Sequence, residues 1–226
     1  MNETSVTNKI YRHPGNERAV DLVPAVGAAV LDVGCGAGDN ARLLKKRGKN
    51  VDGITLSPAE AGIAREVCDR VWLHNLEDGL PEEVTGPYDA VFCSHVIEHI
   101  CFPQKLLRDV HRVLNPEGMV VVALPNMLFY KNRIRLMMGR LEYEEGGLMD
   151  YTHFRWYTFT SARQLFERNG FTCISALAEG HIPVPGVRRF LPESLIAPVD
   201  SFATWLLPGF FGHELLFKFR KSGQPG

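Results

Sequence analysis

The chain has 226 residues, 45% of them apolar and 23% charged, with a formal net charge of −1. That length favours one domain with a substantial core, and that composition excludes a disordered or fibrous chain. The missing basic excess argues against a dedicated nucleic-acid binder.

Residues 1–27 are polar, with Pro14 and Pro24 as punctuation and no basic start or apolar run of the signal-peptide kind. Ala28–Asp32 then reads as a buried strand, Asn40–Arg47 as a helix and Asn50–Thr55 as a second strand. Pro58 sits at the first turn of the next helix with Ser57 as its N-cap. Val71–Leu73 and Tyr88–Ser94 are further strands, and Pro103–Leu114 is a helix with Leu106, Leu107, Val110 and Leu114 at helical spacing. Gly118–Leu124 is a continuous apolar strand that Pro125 stops. Beyond it, Asn126–Arg140 reads as an insertion containing a helix, Thr160–Asn169 as a helix ended by Gly170, and Thr172–Ala178 and Glu214–Arg220 as two late strands. The alternation implies βαβ units and a doubly wound, mostly parallel α/β sheet covered on both faces. The whole chain is read as a single domain with insertions at about 126–158 and 181–212. Five scattered cysteines without a CxxC pair suit reduced thiols and a cytoplasmic location, and no apolar stretch is long enough to span a bilayer.

The most informative segment is Val30–Gly38, VLDVGCGAG, which follows a strand and opens a helix. Gly34, Gly36 and Gly38 let the backbone turn sharply and approach a ligand closely. Their spacing is GxGxG. A dinucleotide fingerprint places its third glycine one residue later, and there this chain carries Asp39. Asp32 at the strand end and Asp39 at the helix start suit a cationic amino group or sulfonium better than a pyrophosphate. The expected cofactor is therefore S-adenosylmethionine (SAM). VLDVGCGAG resembles motif I of the class I SAM-dependent methyltransferases, and the resemblance runs on through Tyr88–Ser94, His95–His99 and Leu114–Pro125 to about residue 178. It implies a Rossmann-like methyltransferase fold of seven strands with the last one, Glu214–Arg220, antiparallel.

By the same resemblance, the end of the second strand faces the ribose, although Thr55 stands where a carboxylate is usual, and Asn75 and Leu76 line the adenine pocket. His95 is expected over the cofactor, with Glu98 and His99 beginning the helix that borders the acceptor. The spelling His95-Val96-Ile97-Glu98-His99 also matches a zinc-peptidase pattern, but it follows a buried strand and no clear third ligand is in view, so no metal is expected. The run Gly146–Thr158, with D-x-x-H-x-R-aromatic-aromatic-T at its core, resembles a subgroup that includes MetW-like proteins and methyltransferases associated with glycans and lipids.

The resemblance implies methyl transfer to a small-molecule, sugar or lipid-linked acceptor, at a hydroxyl oxygen. His153 oriented by Asp150 is the expected general base, with His99 or His95 as the alternative. Lys131, Arg133, Arg135 and Arg140 read as a solvated helix face or as a grip on an acidic acceptor. The aromatic stretch 190–211 reads as a cover of the sheet or a homodimer contact, with a lid or a peripheral membrane contact as the other readings. The competing function is a SAM-binding partner of another enzyme without turnover of its own.

Overall fold

The computed structural model describes residues 10, 12–183 and 192–223. Seven strands form one sheet: β1 (Ala29–Val33), β2 (Asn50–Thr55), β3 (Arg70–Leu73), β4 (Tyr88–Ser94), β5 (Leu114–Pro125), β6 (Phe171–Gly180) and β7 (Gly212–Lys221). Their order is β3-β2-β1-β4-β5-β7-β6, and β7 runs antiparallel to both β5 and β6. Among the described residues the helices are α1 (Glu17–Asp21), α2 (Asp39–Lys46), α3 (Pro58–Ala64), α4 (Gln104–Val113), α5 (Tyr130–Met137), α6 (Phe159–Glu167), α7 (Glu193–Leu206) and α8 (Pro208–Phe211). This is the doubly wound, mostly parallel α/β sheet that the strand pattern implied, with the seven strands and antiparallel last strand that the resemblance implied.

Strand alternation splits the core into two layers. Leu31, Val33, Val91, Cys93, Val120, Val122 and Leu124 face the layer under α4 and α6. Val30, Ala90, Phe92, Val121 and Ala123 face the other, under α1 and α2. Asp32 shares the parity of Val30, so an acidic side chain occupies a core-facing position at the end of β1. The second layer is built from small helix residues, Ala19, Ala41 and Ala64, which bring helices close to the sheet.

Several boundaries differ from the sequence reading for local reasons. The helix over 103–114 covers Gln104–Val113, and Leu114 is buried as the first residue of β5. The next strand therefore spans Leu114–Pro125 and not only Gly118–Leu124, because Asn115 and Glu117 are polar residues on a strand that pairs with β4 from its first residue. Glu98 and His99 do not open a helix. They form a 3-10 turn, Ile97–His99, and Cys101-Phe102-Pro103 separates it from α4. Of the stretch 190–211, Phe190 and Leu191 lie outside the described residues. Its remainder is α7 and α8, whose Phe202, Trp205, Leu206 and Leu207 are exposed, Trp205 at 74%. Among the described residues no helix is long and apolar enough to cross a membrane.

β7 is locked in place by aromatic packing. Phe219 stacks on Phe166 of α6 at 4.4 Å and 10°, and Phe217 stacks beneath it at 5.6 Å. Phe219→Ala is expected to destabilise the protein by about 3–5 kcal/mol, the cost of a large core cavity. Equilibrium denaturation with urea checks this, and a loss under 1 kcal/mol would mean that the stack is not what holds β7.

Candidate functional site

The strand ends that carry sequence motifs converge on one rim of the sheet, at the carboxyl ends of the parallel strands, where doubly wound folds bind ligands. The turn after β1 is tight: the Cys35 amide donates to the Ile54 carbonyl at 2.8 Å and the Gly38 amide to the Cys35 carbonyl at 2.9 Å. Gly34, Gly36 and Gly38 all have positive φ, at 74°, 52° and 80°. A Cβ on Gly34 would stand 2.3 Å from Val96 Cγ2, so that glycine lets the loop after β4 close over the loop after β1. A Cβ on Gly36 would meet the Glu60 carboxylate at 3.6 Å. Gly38 is the left-handed N-cap of α2.

Asp32 is 1% exposed, and its Oδ2 is buried without a hydrogen-bond partner among the described residues. Burial raises its pKa to about 7. Asp39, the other acid expected to face a cation, is already occupied. Its carboxylate accepts from Arg42 at 2.8 Å and from the His13 amide at 3.0 Å, and it pairs with Arg12 at 3.4 Å, so it fastens the N-terminal segment over α2.

The missing carboxylate at the end of β2 has a substitute that the sequence reading passed over. The Thr55 hydroxyl donates to Glu60 Oε2 at 3.0 Å, and both side chains are buried. Glu60 is the N3 residue of α3, whose N-cap Ser57 accepts from the Glu60 amide at 3.3 Å. Helix geometry thus brings a carboxylate back to the strand end. The S-x-x-E spacing of Ser57 and Glu60 was the available signal. After β3, the Asn75 side-chain oxygen caps the turn Leu76–Asp78 by accepting from the Glu77 amide at 3.1 Å, and Leu76 is half-buried. Glu77 in turn accepts from the Cys101 amide at 2.7 Å, tying this turn to the loop after β4.

His95 takes the left-handed backbone, φ 55°, and turns towards β7. Its Nε2 lies 2.6 Å from Glu214 Oε1 and its Nδ1 3.3 Å from Glu98 Oε1. Burial opposes its charge, but the two carboxylates outweigh that and push its pKa up to about 10. Glu214, the other residue that sequence reasoning missed, also accepts from Asn16 Nδ2 at 2.8 Å, so the start of strand β7 gathers the N-terminal segment and the post-β4 loop. With His95 turned away, His95 and His99 share no helix face.

On the acceptor side, Asp150 and His153 are neighbours but not the expected hydrogen-bonded pair. Asp150 Oδ1 accepts from the Thr152 amide at 2.8 Å and its hydroxyl at 2.6 Å, a local turn that competes successfully for the carboxylate. His153 Nδ1 instead meets the Leu148 carbonyl at 2.8 Å. His99 Nδ1 meets the Thr152 carbonyl at 3.0 Å, and the two imidazoles pack edge to face at 4.6 Å. Burial lowers the His99 pKa. The Glu98 carbonyl accepts from the Phe154 and Arg155 amides at 3.0 and 3.1 Å, pinning the 150–155 segment to the post-β4 loop. The basic segment is partly committed: Arg133 donates to the Leu128 carbonyl at 2.6 Å, and Arg135 pairs with Glu144. A cavity of about 330 Å³ lined by Asp52, Arg70 and Tyr88 lies at the opposite, amino-terminal ends of the strands and takes no part in this rim.

The buried Asp32 carboxyl makes the ligand-free protein sensitive to pH. Its folded pKa lies above the ordinary 3.8, so the stability contributed by the neutral form is fully present below 3.8 and is lost as pH rises through about 7. Asp32→Asn should therefore gain on the wild type by about 1–3 kcal/mol between pH 5 and pH 8. Urea titrations at the two pH values test this, and a constant difference would contradict it.

A methyltransferase-domain family model matches residues 11–176. The ubiquinone biosynthesis O-methyltransferase of Pseudomonas aeruginosa (strain UCBPP-PA14) is 34% identical over 112 residues, covering 44% of this chain and 45% of that protein. The protein of the same name from Dechloromonas aromatica is 34% identical over 122 residues, covering 49% and 48%. The chain thus spans about half the length of the curated relatives it matches. A SAM-dependent methyltransferase from Archaeoglobus fulgidus superimposes with a TM-score of 0.63 at 18% identity, over 91% of this chain and 90% of that one. The complex of the Haloferax volcanii Trm112 methyltransferase activator with a methyltransferase gives 0.62 at 19% identity, over 92% and 88%. At these identities the structural matches speak for the fold. With the family model covering well over half of its length, the chain belongs to the methyltransferase-domain family.

Proposed function

We propose that this protein is a SAM-dependent O-methyltransferase acting on a hydroxyl oxygen of a small-molecule, sugar or lipid-linked acceptor. The observation that carries the reading is the buried Asp32 carboxyl, whose Oδ2 has no partner among the described residues and lies beside a loop with three positive-φ glycines. A buried carboxylate without a donor is costly. A ligand bearing an ammonium or sulfonium charge at that position removes the cost, and a pyrophosphate would increase it. Glu60 and Thr55 then face the ribose hydroxyls, the Glu60 carboxylate supplying the charged acceptor that Thr55 lacks. Asn75 has a second lone pair for the adenine amino group, and Leu76 offers apolar contact. His95 stands at the edge of this half, held by Glu214.

When bound, SAM supplies an already activated methyl group. The chain's own work is to hold the acceptor oxygen in line with it and to relieve that oxygen of its proton. For the second task we propose His99 or His153, and the hydrogen bonds of the two rings support this. A carbonyl can only accept, so the Nδ1 of each ring must be the donor to its carbonyl and Nε2 carries the lone pair. The Leu148 carbonyl does for His153 the orienting that Asp150 was expected to do. Oxygen as the acceptor atom is supported by the relatives named O-methyltransferases, each matched over about half its length. The exposed apolar side chains of α7 support the lipid-linked member of the acceptor class. The resemblance of Gly146–Thr158 to MetW-like and glycan- or lipid-associated proteins points the same way.

Two outcomes follow. Asp32→Asn should weaken SAM binding by about 10–100-fold, the worth of one charged hydrogen bond. Calorimetry measures it, and an unchanged affinity would remove Asp32 from the site. His153→Ala should lower transfer of a labelled methyl group to extract acceptors by about 100-fold or more while SAM affinity stays within about twofold. Unaltered transfer would take His153 out of the reaction. A wild-type protein that binds SAM and forms a stoichiometric complex with another protein, without any transfer, would favour a regulatory partner over an enzyme.

A further inference from the structure

We infer that Glu98, His99 and His153 form a binding site for one divalent transition-metal ion of the zinc class, both imidazoles coordinating through Nε2. One ligand atom from each of the three residues can be chosen so that all lie within 4.8 Å of one another. A tetrahedral set with bonds of about 2.0–2.2 Å needs its ligand atoms about 3.3 Å apart. Atoms at the outer limit of that set stand roughly 1.5 Å further apart than such bonds require.

Three independent features point to a cation. The first is the tautomer. His99 and His153 each spend Nδ1 on a backbone carbonyl, of Thr152 and of Leu148, which fixes the Nε2 lone pair and its direction. An N–H donated to a carbonyl on the far side of the ring is the arrangement metal-binding imidazoles use. The second is the Glu98 carboxylate, 1% exposed, whose oxygens have no partner in hydrogen-bond geometry among the described residues and are met only by the His95 ion pair. Its nearest cation, His95 Nδ1, stands at 3.3 Å outside hydrogen-bond geometry. A buried carboxylate left in that condition calls for more positive charge. The third is rigidity. The Glu98 carbonyl accepts from both the Phe154 and Arg155 amides, so the two segments that bring the ligands are clamped together.

Two imidazoles and one carboxylate suit zinc or iron(II), whereas magnesium and calcium prefer all-oxygen sets. Three protein ligands leave coordination positions open. The H-x-x-E-H spacing does not reveal this set, because His95 is turned to Glu214 and the third ligand comes from position 153. The role of the ion rests on the O-methyl transfer proposed above. An acceptor hydroxyl at an open position would lose its proton to water more readily, as metal-bound water does. His99 and His153 would then act as ligands and not as the base.

The test uses the full chain, stripped with a chelator. Zinc(II) titrated into it in a calorimeter should bind at one equivalent, and cobalt(II) should give a visible absorption band without a thiolate charge-transfer band. His99→Ala and His153→Ala should each weaken zinc binding at least 100-fold, and Glu98→Gln at least tenfold, while SAM binding by each variant stays at the wild-type value and reports an intact fold. Absence of saturable zinc binding, undiminished binding in the His99→Ala/His153→Ala double variant, or a cobalt–thiolate band would each overturn the site. Methyl transfer that persists unchanged in the stripped protein would overturn the ion's role and leave the methyltransferase reading standing. Zinc binding at these residues without any transfer would support the site and count against that reading.

Discussion

Asp32 occupies a strand position whose parity belongs to the core, yet its side chain is an acid. Val30 before it is a buried core residue of the same face, and Asp32 itself is 1% exposed. Its Oδ2 is left without a donor among the described residues. The fold tolerates this at the one place in β1 where the strand gives way to a loop of left-handed glycines. Burying an ionisable group costs stability unless an opposite charge arrives, and here the protonated form is favoured up to about pH 7. The cost of burying this carboxyl is what the proposed binding of a cationic ligand would relieve.

The rim divides into a half encoded locally and a half assembled from distance. The half proposed for the cofactor comes from short motifs at strand ends: Asp32 to Gly38 after β1, Thr55 to Glu60 after β2, Asn75 and Leu76 after β3. The half proposed for the acceptor needs two segments far apart in sequence, Glu98–His99 and Leu148–Arg155, joined by the Glu98 carbonyl and by the histidine ring contact. Glu214 at the start of β7 links both halves to the N-terminal segment through His95 and Asn16. This linkage depends on the antiparallel insertion of β7 between β5 and β6, because only that direction brings its first residues to the ligand-binding rim.

That division also sets what could be read from the sequence. The strands and helices of the βαβ region were legible because period-2 and period-3.6 patterns are local and strong, and the glycine loop because its spacing excludes a dinucleotide fingerprint. Glu60 was legible in principle, since Ser57-x-x-Glu60 marks a helix start, but nothing local says that its carboxylate turns to Thr55. The pairing of Asp150 with His153 was a plausible inference from an i, i+3 spacing. It failed because Thr152 lies closer to the carboxylate and the Leu148 carbonyl lies in line with the ring. The orientation of His95 depends on a left-handed backbone and on a strand over a hundred residues away, which no window of sequence contains.

The carboxyl group of Asp32 and the glycines beside it are proposed to make room for a sulfonium nucleoside and not for a diphosphate. Calorimetric titration of the purified protein with SAM, with its demethylated product and with NAD distinguishes the two. Saturable binding of the first two at one site per chain, and none of NAD, is expected. Binding of NAD, with neither of the others bound, would rule the proposal out.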